Sequence, residues 1–406
     1  MVLLFVVWLP AMHAQTTPDT LGATANQTQL HPDVRIPVVP LGYLPPGDLP
    51  AFYYYAMVDL HFIDADHLMF AFNTPVLLKR DNNCPDSDVQ RMVQAVVFQL
   101  PSGKVLKQTH WELYDFMDFL WGLGDGRLLL RRCNQLETVG ADLNPKPLIQ
   151  AIGTIEDISF SPDHSLVVVQ EKVKPDAQDK DRGNLPSVLA QETDAPRTNI
   201  SFIQLHPLHI LGRAEVPLPT VIPVIANGLF EVLTAPHDKW VVNMQVFHGA
   251  QHQIATIRSL CPPLVQTISN TILMAETCSK GDQKEFGGYD LQGSLLWQIP
   301  VAPDQYYPRL ITIPNGPHFA IESLRLNHPH AALDPLTKED VAGEDINIYD
   351  ALSGVRVATF QTTPAYTGGR NVDFSLDGQR MAVLHDGAIE IYSLNNLIKA
   401  LPGMAR

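Results

Sequence analysis

The chain of 406 residues has few cysteines, fewer glycines than prolines and a shortage of basic charge. Four cysteines are too few for a disulfide-rich scaffold, and 33 prolines against 25 glycines argue against long helices. Lysine and arginine number 28 against 43 acidic residues, which gives a net charge of −15. Because this sign repels phosphate backbones, nucleic acid is not an expected partner.

The sequence also lacks the motifs that identify common enzyme classes. It contains no GxSxG nucleophile elbow, no Walker A loop, no GxGxxG dinucleotide motif, no HExxH and no CxxC. Each of these motifs places a nucleophile, a phosphate or a metal ligand at a fixed position in a fold. We therefore expect no cofactor, no resident metal and no assignable catalytic residue, which favours a non-catalytic role.

The first residues contain an apolar run, Met1 to Pro10, that is followed by small residues. This pattern is typical of a secretory signal that is cleaved after Ala14, and the run is too short to span a bilayer. It predicts an exported protein, periplasmic or secreted, with no transmembrane segment in the mature chain. The alternatives are an apolar N-terminal strand or a wrongly chosen start codon. Residues 15–33 are polar and are expected to form a disordered leader.

Short apolar or alternating runs recur between Gly, Pro, Asp and Asn turns, which is the pattern of an all-β chain. Two segments, Asp157 to Glu171 and Val372 to Asp386, share the order of an apolar strand, Phe-Ser, a polar turn and a second apolar strand. A second unit recurs in VFQLPSGKVL, YDLQGSLLWQI and IYDALSGVRVATF, in which glycine supplies the positive φ of a tight turn. The chain is therefore a repeat array.

This pattern resembles the superfamily of WD40-like and bacterial β-propeller repeats, in which each repeat forms one four-stranded blade. The units run from about Tyr53 to Leu394 and give seven blades, with strands A to D from the innermost to the outermost. Blades two and four lack a clear outer strand, which leaves the blade count open. The last blade, Val372 to Leu394, supplies only A, B and C.

The resemblance implies that an N-terminal segment completes the last blade, and closure of the ring would also remove an exposed sheet edge. The apolar stretch Val34 to Leu44 is the predicted closing strand. The expected organisation is a single seven-bladed β-propeller at 34–394 with antiparallel four-stranded blades, followed by a tail at 395–406. A monomer is expected.

The four cysteines suggest two disulfides in an exported chain. If Ser269 and Asn270 form a two-residue hairpin turn, Cys261 and Cys278 face each other across it. Cys84 then pairs with Cys133, since both follow similar strands of adjacent blades. The alternative is two pairs of buried thiols.

Three connections between strands B and C are long, whereas the A–B and C–D turns are short. In an up-and-down blade all B–C connections lie at one end, and insertions gathered on one face of a repeat array commonly mark its binding face. Loop growth without a selected role is the alternative, because long surface loops cost little free energy. The three connections are Asn73 to Arg91, Lys174 to Arg197 and Asn327 to Glu344.

Several polar groups on that face are candidate binding residues. A basic cluster suits the capture of a carboxylate or phosphate, unless its members pair with local acids; it comprises Lys79, Arg80, Arg91, Arg131 and Arg132. Three groups of histidines and carboxylates are candidate metal ligands, although none completes a metal motif. The first is His328 with His330; the second is His61, Asp64, Asp66 and His67; the third is Asp176, Asp179 and Asp181.

Two functions remain open. The favoured one is a non-catalytic module that binds an unidentified protein or small molecule through the face with the long loops. The alternative is a metal-dependent, lactonase-like propeller hydrolase. It requires inward-facing acidic residues near one mouth of the central channel, and the candidates by strand position are Asp59, Asp118, Glu156 and Asp373.

Overall fold

The structure is a computed structural model that describes residues 31–45, 58–76, 78, 84, 91–113, 118–173, 197–216, 221–280, 283–302, 305–314, 316–328, 336–365 and 369–399. The predicted signal sequence at 1–14 and most of the predicted leader at 15–33 lie outside these residues. Within them, no helix has the length and apolar character needed to cross a membrane.

Seven blades of four antiparallel strands form the fold, as the repeat pattern predicts; the two-residue strand Gly369–Arg370 adds to the first blade in parallel, and an N-terminal strand completes the last. The first strand, β1, is Val34–Pro37. Blade one contains β2 (Val58–Phe62), β3 (His67–Asn73), β4 (Arg91–Gln99) and β5 (Lys104–Leu113); blade two contains β6 (Leu120–Gly122), β7 (Leu128–Arg132), β8 (Gln135–Val139) and β9 (Lys146–Gln150). Blade three contains β10 (Thr154–Phe160), β11 (Leu166–Val173), β12 (Arg197–Leu205) and β13 (Leu208–Val216).

The remaining blades follow the same order. Blade four contains β14 (Val224–Ile225), β15 (Gly228–Ala235), β16 (Lys239–Val246) and β17 (Gln251–Arg258); blade five contains β18 (Leu264–Ser269), β19 (Ile272–Cys278), β20 (Lys284–Asp290) and β21 (Leu295–Pro300). Blade six contains β22 (Gln305–Thr312), β23 (His318–Leu326), β24 (Val341–Asp350) and β25 (Arg356–Thr362). The chain continues with β26 (Gly369–Arg370), and blade seven contains β27 (Val372–Phe374), β28 (Arg380–His385) and β29 (Ala388–Ser393), followed by helix α1 (Leu394–Lys399).

The N-terminal strand closes the ring. Strand β1 pairs antiparallel with β29, so that Val34 lies opposite Ile391 and Pro37 opposite Ala388. A 3-10 helix, Val39–Leu41, follows directly and ends the strand. The predicted position of the missing fourth strand is therefore confirmed, and its paired part is shorter than the apolar stretch from Val34 to Leu44.

Apolar side chains on both faces of each blade fill the spaces between blades. In β2, Leu60 is fully buried in a cluster that includes Ala382 and Ile389 of blade seven. Side chains alternate along a strand, so the two neighbours of Leu60 in β2 point toward blade two instead. Met69 and Leu120 belong to the cluster on that side. Each innermost strand thus presents one face to each neighbouring blade.

Blade four corrects the strand assignment that the sequence pattern predicts. The run LFEVLTA, expected to be its innermost strand, lies in β15 and is the second strand. The innermost strand is β14, which has only two residues and pairs through Val224 with Leu229. A two-residue strand has no measurable alternation, so the sequence pattern did not reveal β14. The missing strand of blade four was therefore expected at the outer edge, whereas it lies at the inner edge.

Both predicted disulfides are present. Cys84 is bonded to Cys133 and Cys261 to Cys278, each pair with a Cα–Cα distance of 5.7 Å. The first bond joins the B–C connection of blade one to the B–C turn of blade two. It therefore links two blades, whereas the second staples one hairpin of blade five.

The register behind the second pairing differs from the predicted one. Leu264 lies opposite Glu276, which is one residue away from the register of a Ser269-Asn270 turn. Ser269 lies opposite Ile272, so the turn is Asn270-Thr271, two register steps from the predicted one; an irregularity between Thr267 and Ser269 adds a residue to β18 and recovers one of these steps. The disulfide tolerates this shift because Cys261 precedes the paired part of the strand.

Candidate functional site

The innermost strands of the seven blades surround a central cavity of about 330 Å³. Every blade contributes to its wall, and one lining residue from each, in chain order, is His61, Trp121, Ser159, Val224, Gln266, Arg309 and Asp373. Since each innermost strand begins at the end of the ring that carries the B–C connections, we name this the B–C end. The opposite end, with the A–B and C–D turns, is the A–B end.

Five ionisable residues lie in or directly behind the channel wall, and Asp118 and Arg370 are the two at its B–C end. Asp59 is the second residue of β2 and is fully buried, Asp118 lies two residues before β6, and Arg370 belongs to β26. His61 and Asp373 lie farther along the channel. These five residues are called the channel cluster below.

Strand β26 positions Arg370 against blade one. It pairs parallel with β2, which makes Asp59 and Arg370 register partners and Val58 and Gly369 the next pair. This short parallel pairing joins the last blade to the first at the channel wall. The guanidinium of Arg370 is 32% exposed, and its Nη2 lies 4.0 Å from Oδ2 of Asp118, itself 48% exposed.

Asp59 and His61 are buried between blades one and two. Asp59 is 0% exposed, and neither carboxylate oxygen has a hydrogen-bond partner among the described residues. Nε2 of His61 also has none in that part of the chain, and it lies 3.7 Å from Oδ1 of Asp59. This distance is too long for a hydrogen bond. Two neighbouring buried groups are thus left unsatisfied, which is uncommon and costly.

Burial controls the protonation of both groups. It raises the pKa of Asp59 well above the ordinary range, and the nearby Asp118 carboxylate adds to the rise, while the Arg370 guanidinium opposes it. Burial lowers the pKa of His61 to about 4, against the opposing effect of Asp373. The low-dielectric surroundings therefore favour the uncharged form of each side chain.

Asp373 is held by the backbone of blade one. Its Oδ2 accepts a hydrogen bond from the Phe62 N–H at 2.7 Å and lies 3.9 Å from Nδ1 of His61. Burial raises the pKa of Asp373, and the effect of His61 opposes this rise. One of its oxygens is therefore committed to joining blades seven and one.

A second arginine lines the same cavity. Arg309 of β22 forms an ion pair with Glu322, its register neighbour in β23. The Arg309 side chain is 37% exposed and that of Glu322 is 8% exposed. Two guanidinium groups thus face the channel of a protein whose net charge is strongly negative.

The part of the channel nearer the A–B end is largely apolar. Its lining includes four aromatic residues at or next to the ends of innermost strands, namely Phe62, Trp121, Phe160 and Phe374. His164, in the A–B turn of blade three, donates from Nδ1 to the Gly122 carbonyl at 2.6 Å. Burial lowers the pKa of His164. The channel is therefore amphipathic along its length.

The predicted basic cluster does not form a free surface site. Arg91 is 6% exposed and lies over the Phe119 ring, 4.8 Å from its centroid. Arg131 is 4% exposed and donates to the Ile155 carbonyl at 2.6 Å. Both side chains cross to the next blade, because strand ends at this radius face a neighbouring sheet. They are structural contacts between blades, which corrects the sequence-based expectation.

The third described member of that cluster is also paired. Arg132 donates two hydrogen bonds to the carboxylate of Glu137, at 2.6 and 2.5 Å. The alternative expectation was that these basic residues pair with local acids, and Arg132 does so. Lys79 and Arg80 lie outside the described residues.

The predicted histidine groups separate in the structure. His328 is 62% exposed, and its Nε2 lies 3.4 Å from Asp340. His67 bonds to Asp64 at 2.9 Å within an A–B turn, whereas His61 of the same motif lies in the channel. The remaining candidates, His330, Asp176, Asp179 and Asp181, fall outside the described residues.

Three of the four carboxylates predicted by strand position do gather. Asp59, Asp118 and Asp373 surround His61, while Glu156 turns away to Lys172, with its Oε1 3.7 Å from Nζ. Among the described residues, no three His, Cys, Asp or Glu side chains converge in a way that could hold a metal ion.

Arg309 and Arg370 are the site residues that sequence reasoning missed. Each stands beside an apolar strand in the printed sequence, in PRLITIP and GRNVDF, and neither belongs to a motif. A cation at the start of an innermost strand is a weak signal. It acquires meaning only once the ring brings the strands together.

No known protein family matches this sequence, and no curated protein matches it either. Solved structures do match in fold. One is the acylaminoacyl peptidase of Pyrococcus horikoshii, at 10% identity and a TM-score of 0.50, over 86% of this chain and 54% of that one. This chain therefore spans about half the length of the peptidase.

Another match is the WD40 domain of Toxoplasma gondii coronin, at 7% identity and a TM-score of 0.48, over 88% of this chain and 83% of that one. Identities this low show nothing beyond the fold. The resemblance to WD40-like and other β-propeller repeat proteins is confirmed at the level of the fold, which is a seven-bladed β-propeller.

Proposed function

We propose that this protein is an exported, non-catalytic binding module that holds its partner at the B–C end of the propeller. One observation carries the proposal: the Arg370 and Asp118 side chains of the channel and the three long connections occur at the same end of the ring. Insertions gathered on one face of a repeat fold commonly build its binding surface.

The strand boundaries support this choice of end. The long connections join β3 to β4, β11 to β12 and β23 to β24, which are second and third strands in every case. Most of their residues lie outside the described part of the chain. The first connection contains Cys84, whose bond to Cys133 fixes it to blade two at this end.

The two disulfides support export, because such bonds persist in oxidising compartments and are rare in reducing ones. They agree with the predicted signal sequence at 1–14. Mass mapping of the mature N-terminus from a secreting host tests this part of the proposal. A chain that begins at Met1 would contradict it.

Shortening the connection between Val173 and Arg197 to a four-residue Gly-Ser turn tests the binding end. Quantitative mass spectrometry then compares the proteins that co-purify with the tagged wild-type and shortened chains from the native host. We expect the shortened chain to melt normally and to lose its main partner.

The matched control alters the opposite end. Leu352 is 69% exposed in the C–D turn of blade six, and Leu352→Glu changes that surface without touching the core. We expect the control to retain the partner. Capture that survives loop shortening but is lost in Leu352→Glu would move the binding surface to the A–B end.

A metal-dependent hydrolase is the second candidate, because Asp59 and Asp373 lie within 4 Å of His61 in the channel region, although no three such side chains among the described residues could hold a metal ion. The guanidinium groups of Arg309 and Arg370 lie in the same channel and oppose the entry of a divalent cation. Thermal unfolding with EDTA, Ca²⁺ or Zn²⁺ separates the two candidates. A melting temperature that none of these changes counts against the metal-centred enzyme.

A further inference from the structure

We propose that the central channel binds a small organic monoanion, with its charged group on Arg370 and its apolar body between the aromatic residues toward the A–B end. The inference rests on the proposed function, since it assigns a ligand class to the channel whose Arg370 and Asp118 side chains lie at the proposed binding end. Three features of the channel support it: an available cation, nearby carboxylates that limit the charge of a ligand, and an apolar compartment.

Arg370 is the available cation. Among the described residues its guanidinium makes no hydrogen bond, and its nearest acidic oxygen, on Asp118, is 4.0 Å away. Its register partner, Asp59, is buried and disfavours ionisation, so it is a poor counterion. A guanidinium presents five N–H donors in a planar fork that matches a carboxylate or a phosphate oxygen pair. An anion is therefore the group that satisfies Arg370.

His61 supplies an independent indication of a missing polar partner. It is 2% exposed, it lines the cavity, and its Nε2 has no hydrogen-bond partner among the described residues. A buried polar atom without a partner costs free energy unless a ligand or an ordered water completes it. The channel wall thus contains a cation and a buried imidazole that both lack strong partners in the described part of the chain.

The surrounding carboxylates limit the charge of the ligand to one. Asp118 and Asp373 line the same cavity as Arg370, so a second negative charge on the ligand would face them at short range. Arg309 adds positive potential, but Glu322 already balances it. The balance favours one negative charge over two.

The remaining wall selects an apolar body. The cavity lining includes Phe62, Trp121, Phe160 and Phe374, each the last or next-to-last residue of an innermost strand, where these strands reach the A–B end. A cavity of about 330 Å³ lies at the small end of the range for ligand pockets, and apolar walls with a few placed polar groups are typical of such pockets. A compact aromatic or aliphatic acid fits both the size and the polarity.

The experiment uses the full chain and three probes, measured by isothermal titration calorimetry. Phenylacetate carries one negative charge and an apolar body, phenylacetamide is its neutral analogue, and inorganic phosphate lacks the apolar body. We expect saturable binding of phenylacetate, and binding at least tenfold weaker for each of the other two probes. Phenylacetamide that binds as well as phenylacetate would overturn the role of charge.

Substitutions of Arg370 then test whether this side chain binds the charged group. Arg370→Gln is expected to weaken phenylacetate binding at least tenfold, and Arg370→Lys to retain part of it, because lysine keeps the charge but loses the fork. Arg213→Gln is the matched control, since Arg213 is exposed on the outer strand β13. If Arg370→Gln fails to fold, the lysine variant and the neutral probe still decide.

The outcomes separate this inference from the proposed function. Unchanged phenylacetate binding in Arg370→Gln, or no saturable binding by the wild-type chain, overturns the inference. If the wild-type chain does not bind phenylacetate but loop shortening still removes the partner, the proposed binding end is retained and only the ligand class is wrong. If phenylacetate binds as expected but the partner is kept after loop shortening, only the proposed binding end is wrong.

Discussion

Two buried carboxylates in neighbouring blades have opposite surroundings. Glu390, in β29 where the ring closes, accepts from Arg35 of β1 at 2.7 Å and from the Tyr392 hydroxyl at 2.5 Å. Asp59, in β2, is as deeply buried and has no hydrogen-bond partner among the described residues. The first is satisfied on both oxygens and the second on neither.

The difference separates a carboxylate whose hydrogen bonds hold strands together from one that has no fixed partner among the described residues. Satisfied networks fix one arrangement of strands, and here the network fastens β1 to β29. Burial and Glu390 together raise the pKa of Tyr392, which keeps its hydroxyl a donor over the whole physiological range. An unsatisfied buried group destabilises the fold, and such groups cluster where a protein binds or reacts. The channel cluster has this second character.

Removing the satisfied carboxylate has the largest expected effect. Glu390→Ala leaves the buried Tyr392 hydroxyl unpaired and detaches Arg35, so we expect the free energy of unfolding to fall by about 4 kcal/mol. Urea unfolding at pH 7 measures it. Glu215→Ala is the control, since Glu215 pairs with Arg197 at the surface and should change little. Equal losses in both variants would contradict the comparison.

Protonation of His61 has the next largest effect. Its pKa is about 4 in the folded chain and near 6.5 when unfolded, so above pH 6.5 neither state takes up the proton. As the pH falls from 6.5 to 4 only the unfolded chain is protonated, and the free energy of unfolding falls by about 3 kcal/mol. Unfolding titrations of wild-type protein and His61→Asn across this range test the prediction.

The His61→Asn variant lacks this component, so its stability should depend less on pH between 6.5 and 4. Carboxylates elsewhere contribute equally to both chains and cancel in the difference. His209 is exposed on β13, and His209→Asn should behave as wild type. Parallel pH profiles for wild type and His61→Asn would show that burial does not lower the pKa of His61.

Neutralising Asp59 has the smallest effect and the opposite sign. Because the folded chain raises its pKa, ionisation destabilises the fold as the pH rises above 3.8, and Asp59→Asn removes this cost. We expect a gain of about 1 kcal/mol at pH 7 and none at pH 3. Asp66→Asn, in an exposed turn, should give no gain at either pH. A loss of stability at pH 7 would mean that Asp59 has a partner as strong as that of Glu390.

The fold was largely predictable because its signals are local. Short apolar runs recur along the chain, Phe-Ser turns in two blades and Gly turns in three, and a four-stranded blade required one more strand than the last segment contains. Val34 to Leu44 was the apolar segment available upstream of blade one, and β1 lies where that reasoning placed it. Blade four was misassigned because the two residues of β14 carry no periodic signal.

The candidate site was only partly predictable. Strand position brought Asp59, Asp118 and Asp373 to the channel, since all three lie in or beside innermost strands. The basic cluster was wrong for Arg91 and Arg131, because a sequence does not reveal which strand-end cations turn into the neighbouring blade.

The resemblance to propeller repeats indicated the closing strand, and the sequence by itself determined the all-β repeat and predicted seven blades and two disulfide pairings. These depend on apolar periodicity, turn chemistry and cysteine spacing, which are properties of short segments. Only the tertiary structure decided which charges are satisfied. Asp59 and His61 lie in β2 near the start of the chain and Arg370 lies in β26 near its end, and these residues come together only when the two strands pair at the channel. The proposed binding chemistry depends on this juxtaposition of residues from the first and last blades.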